Sequence, residues 1–592
     1  MKFAVATTLL LGSVLLLTKA HTRTSPRVVT PLGLIIGRYN FSNGNRLYAA
    51  YEGVPYAEPP IGNLRFKVAR PVSPWGGALI ADRFGSICLQ YNHAKKLMGW
   101  AGLNQSEDCL YLNIYTPATK FANVSKPLPV IFFIHGGAFR SGSGGMYGPQ
   151  YLLDRDVLLV TFNHRLGPLG FLSTEDDTVP GNLGLKDQVV ALKWVQDYIK
   201  YFGGDRNSVT IVGHSSGGVS VQYHYLTNVT KGLFHRGISM SGTALNSWAQ
   251  IEGSLEKAKK VATILKCNDT DVKEMVECLR TRNATDIVQA TSAFLGWMDN
   301  PFVPFGPVVE KGVAKDEFTF IDRPPIESLK SKKVQDLPWI TSVVSEDGIF
   351  PISLLTANET LLNDLNNNWV KYAPLVLDFN YTVPADLRAL VANCIKKYYF
   401  KDEDIGISTL RRIIKMRSDR LYFYHAEEAA RLQAEATESP VLFYYFSYRG
   451  EHSITEALTG SQTNFGVSHL DDLRYLVHPS FDATITLGDR NMQKKLINFW
   501  VSFATNGTPE VGVDWKRVKK NTTTLRYLHI AEPNDLYVTE SEDFGNKNFW
   551  QWLGFQENHD SKQRVSQDQY WKYLPQGRTG KEYADDLENN KI

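Results

Sequence analysis

The sequence predicts an α/β fold in which a large, mostly parallel central sheet carries helices on both faces and helical cap insertions. Three observations carry that expectation: short continuous apolar runs, an amphipathic stretch between two of them, and glycines where a strand gives way to a helix. Val130–Ile134 (VIFFI) and Val157–Phe162 (VLLVTF) are dominated by β-branched, aromatic and other apolar residues, as strands buried on both faces require. Between Leu183 and Phe202, the apolar Leu185, Val189, Leu192, Val195 and Ile199 recur every three or four residues. That period predicts a helix with Lys186, Lys193 and Lys200 turned away from the core, ended by Gly203-Gly204. Ser208–Val212 (SVTIV) is a further buried strand, and Gly213 to Gly218 leads out of it into a small-residue helix start. Beyond about residue 250, stretches such as Ile251–Leu265 and Leu410–Thr437 predict capping helices, while Trp339–Val344 and Val441–Tyr448 predict strands that return to the sheet.

The 592 residues are 43% hydrophobic and 21% charged, ample for a large core, and a formal charge of +3 gives no electrostatic case for nucleic acid as a partner. Lys2, the apolar run Phe3–Leu17 and the small Ala20 read as a signal peptide over residues 1–20. About 15 apolar residues fall short of the roughly 20 that span a bilayer, and no later run is long enough, so secretion without a membrane anchor is expected. The mature chain reads as one domain over residues 21–555, followed by a polar tail over 556–592. Ten Asn-x-Ser/Thr sequons fit an extracellular route as glycosylation candidates: Asn40, Asn104, Asn123, Asn228, Asn268, Asn283, Asn358, Asn380, Asn506 and Asn521. Five cysteines, Cys88, Cys109, Cys267, Cys278 and Cys394, fit two disulfides and one leftover thiol. Their spacing leaves the pairing open. No cofactor and no metal is expected, and the oligomeric state is not legible.

Chemistry enters at Ser215, the only serine of the chain inside Gly-x-Ser-x-Gly (Gly213-His214-Ser215-Ser216-Gly217). The motif lies where a strand ends and a helix begins, the setting of the nucleophile elbow in an α/β-hydrolase fold. Its glycines let strand and helix approach where a Cβ would clash. His135-Gly136-Gly137-Ala138-Phe139 follows the Val130 strand, where such a fold needs free backbone N–H groups to bind an oxyanion. Gly136, Gly137 and the N–H of Ser216 are the candidate donors. A serine hydroxyl needs a histidine to take its proton and a carboxylate to orient that histidine. Periodicity does not choose among the thirteen histidines.

The sequence resembles the type-B carboxylesterase and cholinesterase family from about Val28 to about Phe555. Tyr51-Glu52-Gly53-Val54-Pro55-Tyr56-Ala57 and Ser106-Glu107-Asp108-Cys109-Leu110-Tyr111-Leu112-Asn113 are similar to its N-terminal blocks. HGGAF from His135, NHRLGPLGF from Asn163, GNLGLKDQ from Gly181, FGGD from Phe202 and GHSSGG from Gly213 follow in order. The resemblance implies an ester hydrolase acting on a small-molecule ester, with His469 of Gly466-Val467-Ser468-His469 as the base. It places the acid just before Gly348, at Asp347, where most members carry glutamate. The other reading is that Asp347 only serves the turn while the longer Glu346 reaches in. The resemblance also implies bridges Cys88–Cys109 and Cys267–Cys278.

Two departures shape the expected substrate. His214 stands where cholinesterases carry glutamate, and Leu89–Ser106 holds Lys95 and Lys96 but no carboxylate. Neutral esters are therefore expected over choline esters, although Trp100 offers a wall on which a cation could stack. His214 and the signal peptide look most like secreted insect carboxylesterases. Two alternatives stand beside a general esterase: a catalytically idle adhesion or ligand-sequestering member of the same fold, and an esterase specialised for a hormone or pheromone.

Overall fold

The computed structural model describes residues 25–555 and 557, apart from 92–102, 119–125, 315–316, 351, 353–354, 356–357, 402 and 480–484. The signal-peptide reading, all of the polar tail but Glu557, Asn123, Lys95, Lys96 and Trp100 lie outside the described residues.

Eleven strands form one sheet: β1 (Arg38–Phe41), β2 (Leu47–Pro55), β3 (Tyr111–Pro117), β4 (Leu128–Ile134), β5 (Leu158–Phe162), β6 (Gly204–His214), β7 (Arg236–Met240), β8 (Trp339–Val344), β9 (Val441–Phe446), β10 (Leu525–Glu532) and β11 (Asp535–Ser541). Their order across the sheet is β1-β2-β3-β5-β4-β6-β7-β8-β9-β10-β11. From β5 to β10 every neighbouring pair is parallel. The flanks β1–β3 and the hairpin β10–β11 are antiparallel. The apolar runs of the sequence are thus the parallel centre, with β8 matching its expected span residue for residue.

Alternation along β4 shows why these runs are apolar throughout. Val130, Phe132 and Ile134 enter a core on one face of the sheet, while Ile131 and Phe133 enter a second core on the other. Each fully buried side chain of this size contributes about 1.5–3 kcal/mol relative to an exposed one. A third apolar cluster lies within the helical insertions, around Trp369, Phe400, Ile413 and Trp550.

The predicted helix after Leu183 is α1 (Leu183–Tyr198), continued by a tighter turn to Phe202 and stopped by Gly203 at φ +85°. One expectation fails there. Lys193 and Lys200 are exposed, but Lys186 is fully buried and its Nζ lies 2.9 Å from Glu310 Oε2. The segment around Val308 and Glu310 covers α1 on the side that a two-faced helix would leave to water, so most of the helix is buried. A pair of opposite charges makes that burial tolerable, and losing one partner costs about 3–5 kcal/mol. The expected helix over 410–437 is built as α3 (Leu410–Ser418) and α4 (Tyr424–Ala436), joined by a π-helical turn over Asp419–Phe423, with α2 (Ser216–Tyr225) earlier in the chain.

Cys88 is bonded to Cys109 and Cys267 to Cys278. Cys394 is a free buried thiol whose pKa burial pushes up to about 11, which makes it unreactive near neutrality. Of the described sequon asparagines none is buried. Among the described residues no helix is long and apolar enough to cross a membrane.

Candidate active site

β6 delivers Ser215 in a conformation that few residues adopt, with φ 58° and ψ −126°. Such a position costs about 1–3 kcal/mol and persists only where the surroundings enforce it. Here the enforcement is contact between main chains. A Cβ on Gly217 would sit 2.1 Å from the carbonyl oxygen of Ile134, one on Gly213 would sit 2.2 Å from that of Gly217, and one on Gly242 would sit 2.2 Å from that of Ser215. Ser215 N–H donates to the Met240 carbonyl at 2.8 Å, and the Ser215 carbonyl accepts from Val219 N–H at 2.9 Å. The end of β4, the end of β6, the turn after β7 and the first turn of α2 therefore interlock around one serine.

The loop after β4 closes over the same point. A Cβ on Gly136 would meet the His214 carbonyl at 2.6 Å and Ser215 Cβ at 3.0 Å, so the loop main chain rides directly on the elbow. Gly137 has φ +120°, and a Cβ there would be 2.0 Å from the Ser141 carbonyl oxygen, in a turn whose Gly137 carbonyl accepts from Ser141 N–H at 2.9 Å. The N–H groups of Gly136 and Gly137 donate to no group among the described residues. Ser216 is the first residue of α2, so its N–H has no partner inside the helix. These free donors beside a serine are what a tetrahedral oxyanion needs.

β8 ends at Val344, and the chain turns so that Asp347 points inward, fully buried. Its Oδ2 accepts from Val344 N–H and from Ser241 Oγ, each at 2.9 Å, and its Oδ1 lies 2.6 Å from His469 Nδ1. Gly348 docks the turn against α3, taking a hydrogen bond from Arg417 Nε at 3.2 Å and donating to Ser418 Oγ at 2.9 Å. His469 is buried among rings: those of His214 at 4.3 Å, Tyr422 at 5.1 Å and Phe350 at 5.7 Å. His214 precedes Ser215 directly, so that contact brings the histidine to the elbow. Glu346 goes the other way: its carboxylate accepts Val467 N–H at 2.7 Å. Of the two adjacent carboxylates, Asp347 is therefore the one on His469.

Burial dominates the electrostatics. It holds the Asp347 carboxyl above its ordinary value, up to about 7, and the His469 imidazole below its own. Across a 2.6 Å hydrogen bond the two share a proton and titrate as a unit. His214 is driven well below the ordinary imidazole range by burial and then by His469 beside it, so it stays neutral. Asp472, hydrogen-bonded by Tyr444 Oη at 3.1 Å, is raised to about 7 by burial and by Asp347 nearby.

Of the residues the sequence named, the fold sets Asp347 on His469, Gly136 against Ser215, and His214, which precedes Ser215, against the His469 ring. Sequence reasoning missed Ser241, Tyr422 and Phe350. None lies in a motif; Ser241 follows β7 and Tyr422 sits on the π-helical turn, whose Leu421 carbonyl accepts from Trp248 Nε1 at 2.9 Å and from Asn246 Nδ2 at 2.5 Å.

A sequence model described as the carboxylesterase family matches residues 24–550. The chain belongs to the carboxylesterase family. This carboxylesterase is 44% identical to venom carboxylesterase-6 of Apis mellifera, over 90% of the chain and 95% of that relative. It is 35% identical to juvenile hormone esterase of Tribolium castaneum, over 89% and 91%. Its fold matches the crystal structure of juvenile hormone esterase from Manduca sexta, with OTFP covalently attached, at a TM-score of 0.76 and 27% identity, covering 95% of this chain and all of that one. The carboxylesterase is thus an α/β-hydrolase whose buried Asp347–His469 pair stands beside a strained serine.

Proposed function

We propose that this carboxylesterase is secreted and hydrolyses neutral small-molecule carboxylic esters through an acyl-enzyme. The observation that carries the reading is the Asp347–His469 hydrogen bond of 2.6 Å next to the left-handed Ser215. Ser215 Oγ attacks the ester carbonyl carbon while its proton passes to His469 Nε2. Gly136, Gly137 and Ser216 N–H groups hold the oxyanion. The carbon–oxygen bond to the alcohol breaks, and the proton on His469 leaves with that alcohol. Water then gives its proton to His469, its oxygen joins the acyl carbon, and the acid departs as Ser215 regains the proton. Asp347 keeps Nδ1 protonated and the ring in place.

Residues 1–20 act in this reading as the export signal and 21–555 as the catalytic domain. The described sequon asparagines, none of them buried, and the two disulfides support an extracellular protein. The likeness to two juvenile hormone esterases favours a second, narrower reading in which the ester is one insect hormone. An idle adhesion or sequestering role finds no support in a site with every catalytic group present. A fluorophosphonate probe followed by peptide mapping tests the mechanism: label on Ser215 alone supports it, and label elsewhere or none on folded protein ends it. For the substrate, neutral His214 offers no charge to a quaternary ammonium, so kcat/KM for a neutral acetate ester exceeds that for acetylcholine. The opposite order refutes the neutral-ester reading.

A further inference from the structure

We propose that Glu346, the carboxylate that does not touch the histidine ring, is a positioning residue that sets where His469 stands. This rests on the reading of His469 as the base. The loop carrying His469 is bound to the acid's own strand end by a main-chain hydrogen bond, an isolated bridge and one side chain. Glu346 N–H donates to the Val467 carbonyl at 3.0 Å, and Glu346 pairs with Ser468 as an isolated parallel bridge. Its carboxylate Oε2 then accepts Val467 N–H at 2.7 Å and a second hydrogen bond from Ser345 Oγ. A carboxylate accepting N–H groups is among the stronger hydrogen-bonding arrangements in a protein.

The fit is close. Gly466 has φ +110°, and a Cβ there would lie 2.3 Å from the Glu346 carboxyl carbon. On the far side of His469, Asp471 Oδ2 accepts Ser468 N–H at 2.8 Å, so both residues preceding the base hang from carboxylates. Adjacent carboxylates thus divide one task. Asp347 orients the imidazole, and Glu346 fixes the main chain that presents it. Near-attack geometry is demanding enough that a shift of about 1 Å costs about a hundredfold in rate.

The brace is also reachable from outside. A cleft of about 520 Å³ opens onto it, lined by Ser345, Glu346, Gly466, Val467, Arg411 and Arg449. Arg411 is exposed on this lining, so the cleft turns positive once the Glu346 carboxylate is removed. A small carboxylate can therefore enter and take the place of the missing side chain.

The test uses the full chain and four variants, each checked by circular dichroism. Glu346→Ala lowers kcat about ten- to a hundredfold with KM near that of the wild type, because only the base is displaced. Formate restores much of that kcat, and it does nothing to the wild type. Glu346→Gln, whose amide oxygen still accepts Val467 N–H, stays within about threefold. Gly466→Ala pushes the intact carboxylate aside and loses kcat as Glu346→Ala does, but formate gives no recovery. Wild-type kcat in folded Glu346→Ala, equal losses in the Ala and Gln variants, or no response to formate overturns the proposal. Ser215→Ala separates the two readings: if it keeps activity, the serine mechanism itself has failed, and if it abolishes activity while Glu346→Ala is normal, only the brace has failed.

Discussion

Ser215 and His469 are linked through His214, whose ring lies 4.3 Å from that of His469, but the two are held in place differently. Around Ser215, main chains touch so closely that Gly136, Gly213, Gly217 and Gly242 have no room for a Cβ. Around His469 the loop is hung from side-chain carboxylates, Asp347, Glu346 and Asp471. Contact repulsion is steep and indifferent to pH, whereas a hydrogen bond to a carboxylate depends on its charge. Ser215 is therefore placed by shape, and His469 by hydrogen bonds to carboxylates. Disturbing one half should break structure first, and disturbing the other should break chemistry first.

The largest expected effect falls on the charge-placed half. Asp347→Asn keeps the shape and removes the charge that holds Nδ1 protonated, so kcat falls by roughly 10³ to 10⁴ while the protein stays folded. Steady-state kinetics with a neutral acetate ester check this, and a loss of tenfold or less returns the acid role to another carboxylate. Next comes the shape-placed half. Gly217→Ala drives a methyl group into the Ile134 carbonyl and destabilises the fold by about 1–3 kcal/mol, read as a lower urea midpoint, with activity falling as the elbow shifts. An unchanged midpoint would mean that the interlock is looser than its contacts indicate.

A third prediction sharpens the contrast through pH. The Asp347–His469 pair must shed its extra proton, keeping the one on Nδ1, before His469 Nε2 can accept one from Ser215, and burial raises the Asp347 carboxyl to about 7. Activity is thus present above that value and falls as pH drops through it, whereas the elbow, whose His214 is held neutral by burial, keeps its geometry. A kcat/KM profile flat down to pH 5 would contradict that titration. The smallest effect on activity is expected far from both halves. Replacing Cys267 and Cys278 by serine opens an 11-residue loop and costs about 3 kcal/mol of stability in the chain-entropy model, with kcat at 25 °C unchanged.

How much of this was legible beforehand follows from the same distinction. Strands buried on both faces must be apolar throughout, so β4, β5, β6 and β8 announced themselves. A serine flanked by glycines at a strand end is a local pattern because the steric demand is local. The antiparallel flanks went unread, since β10 and β11 are partly exposed and mix polar with apolar residues. Lys186 was misplaced because its partner, Glu310, is more than a hundred residues away, and no periodicity within a helix reports what covers its outer face. Tyr422 and Phe350 come to His469, and Ser241 to Asp347, from three separate segments, each by tertiary packing. The choice between Asp347 and Glu346 was open for the same reason, as adjacent carboxylates differ only in what lies across from them.

The interlock of glycines also bears on how this enzyme can be altered. Four positions packed around Ser215 leave no room for a Cβ, so most clones of a library randomised there would be destabilised with the elbow displaced. The ring cage of His214, Tyr422 and Phe350 has no such restriction, because side chains rather than main chain make its contacts. Diversification aimed at new esters therefore belongs on the cage. The elbow is best treated as a fixed cassette, transplantable whole or not at all.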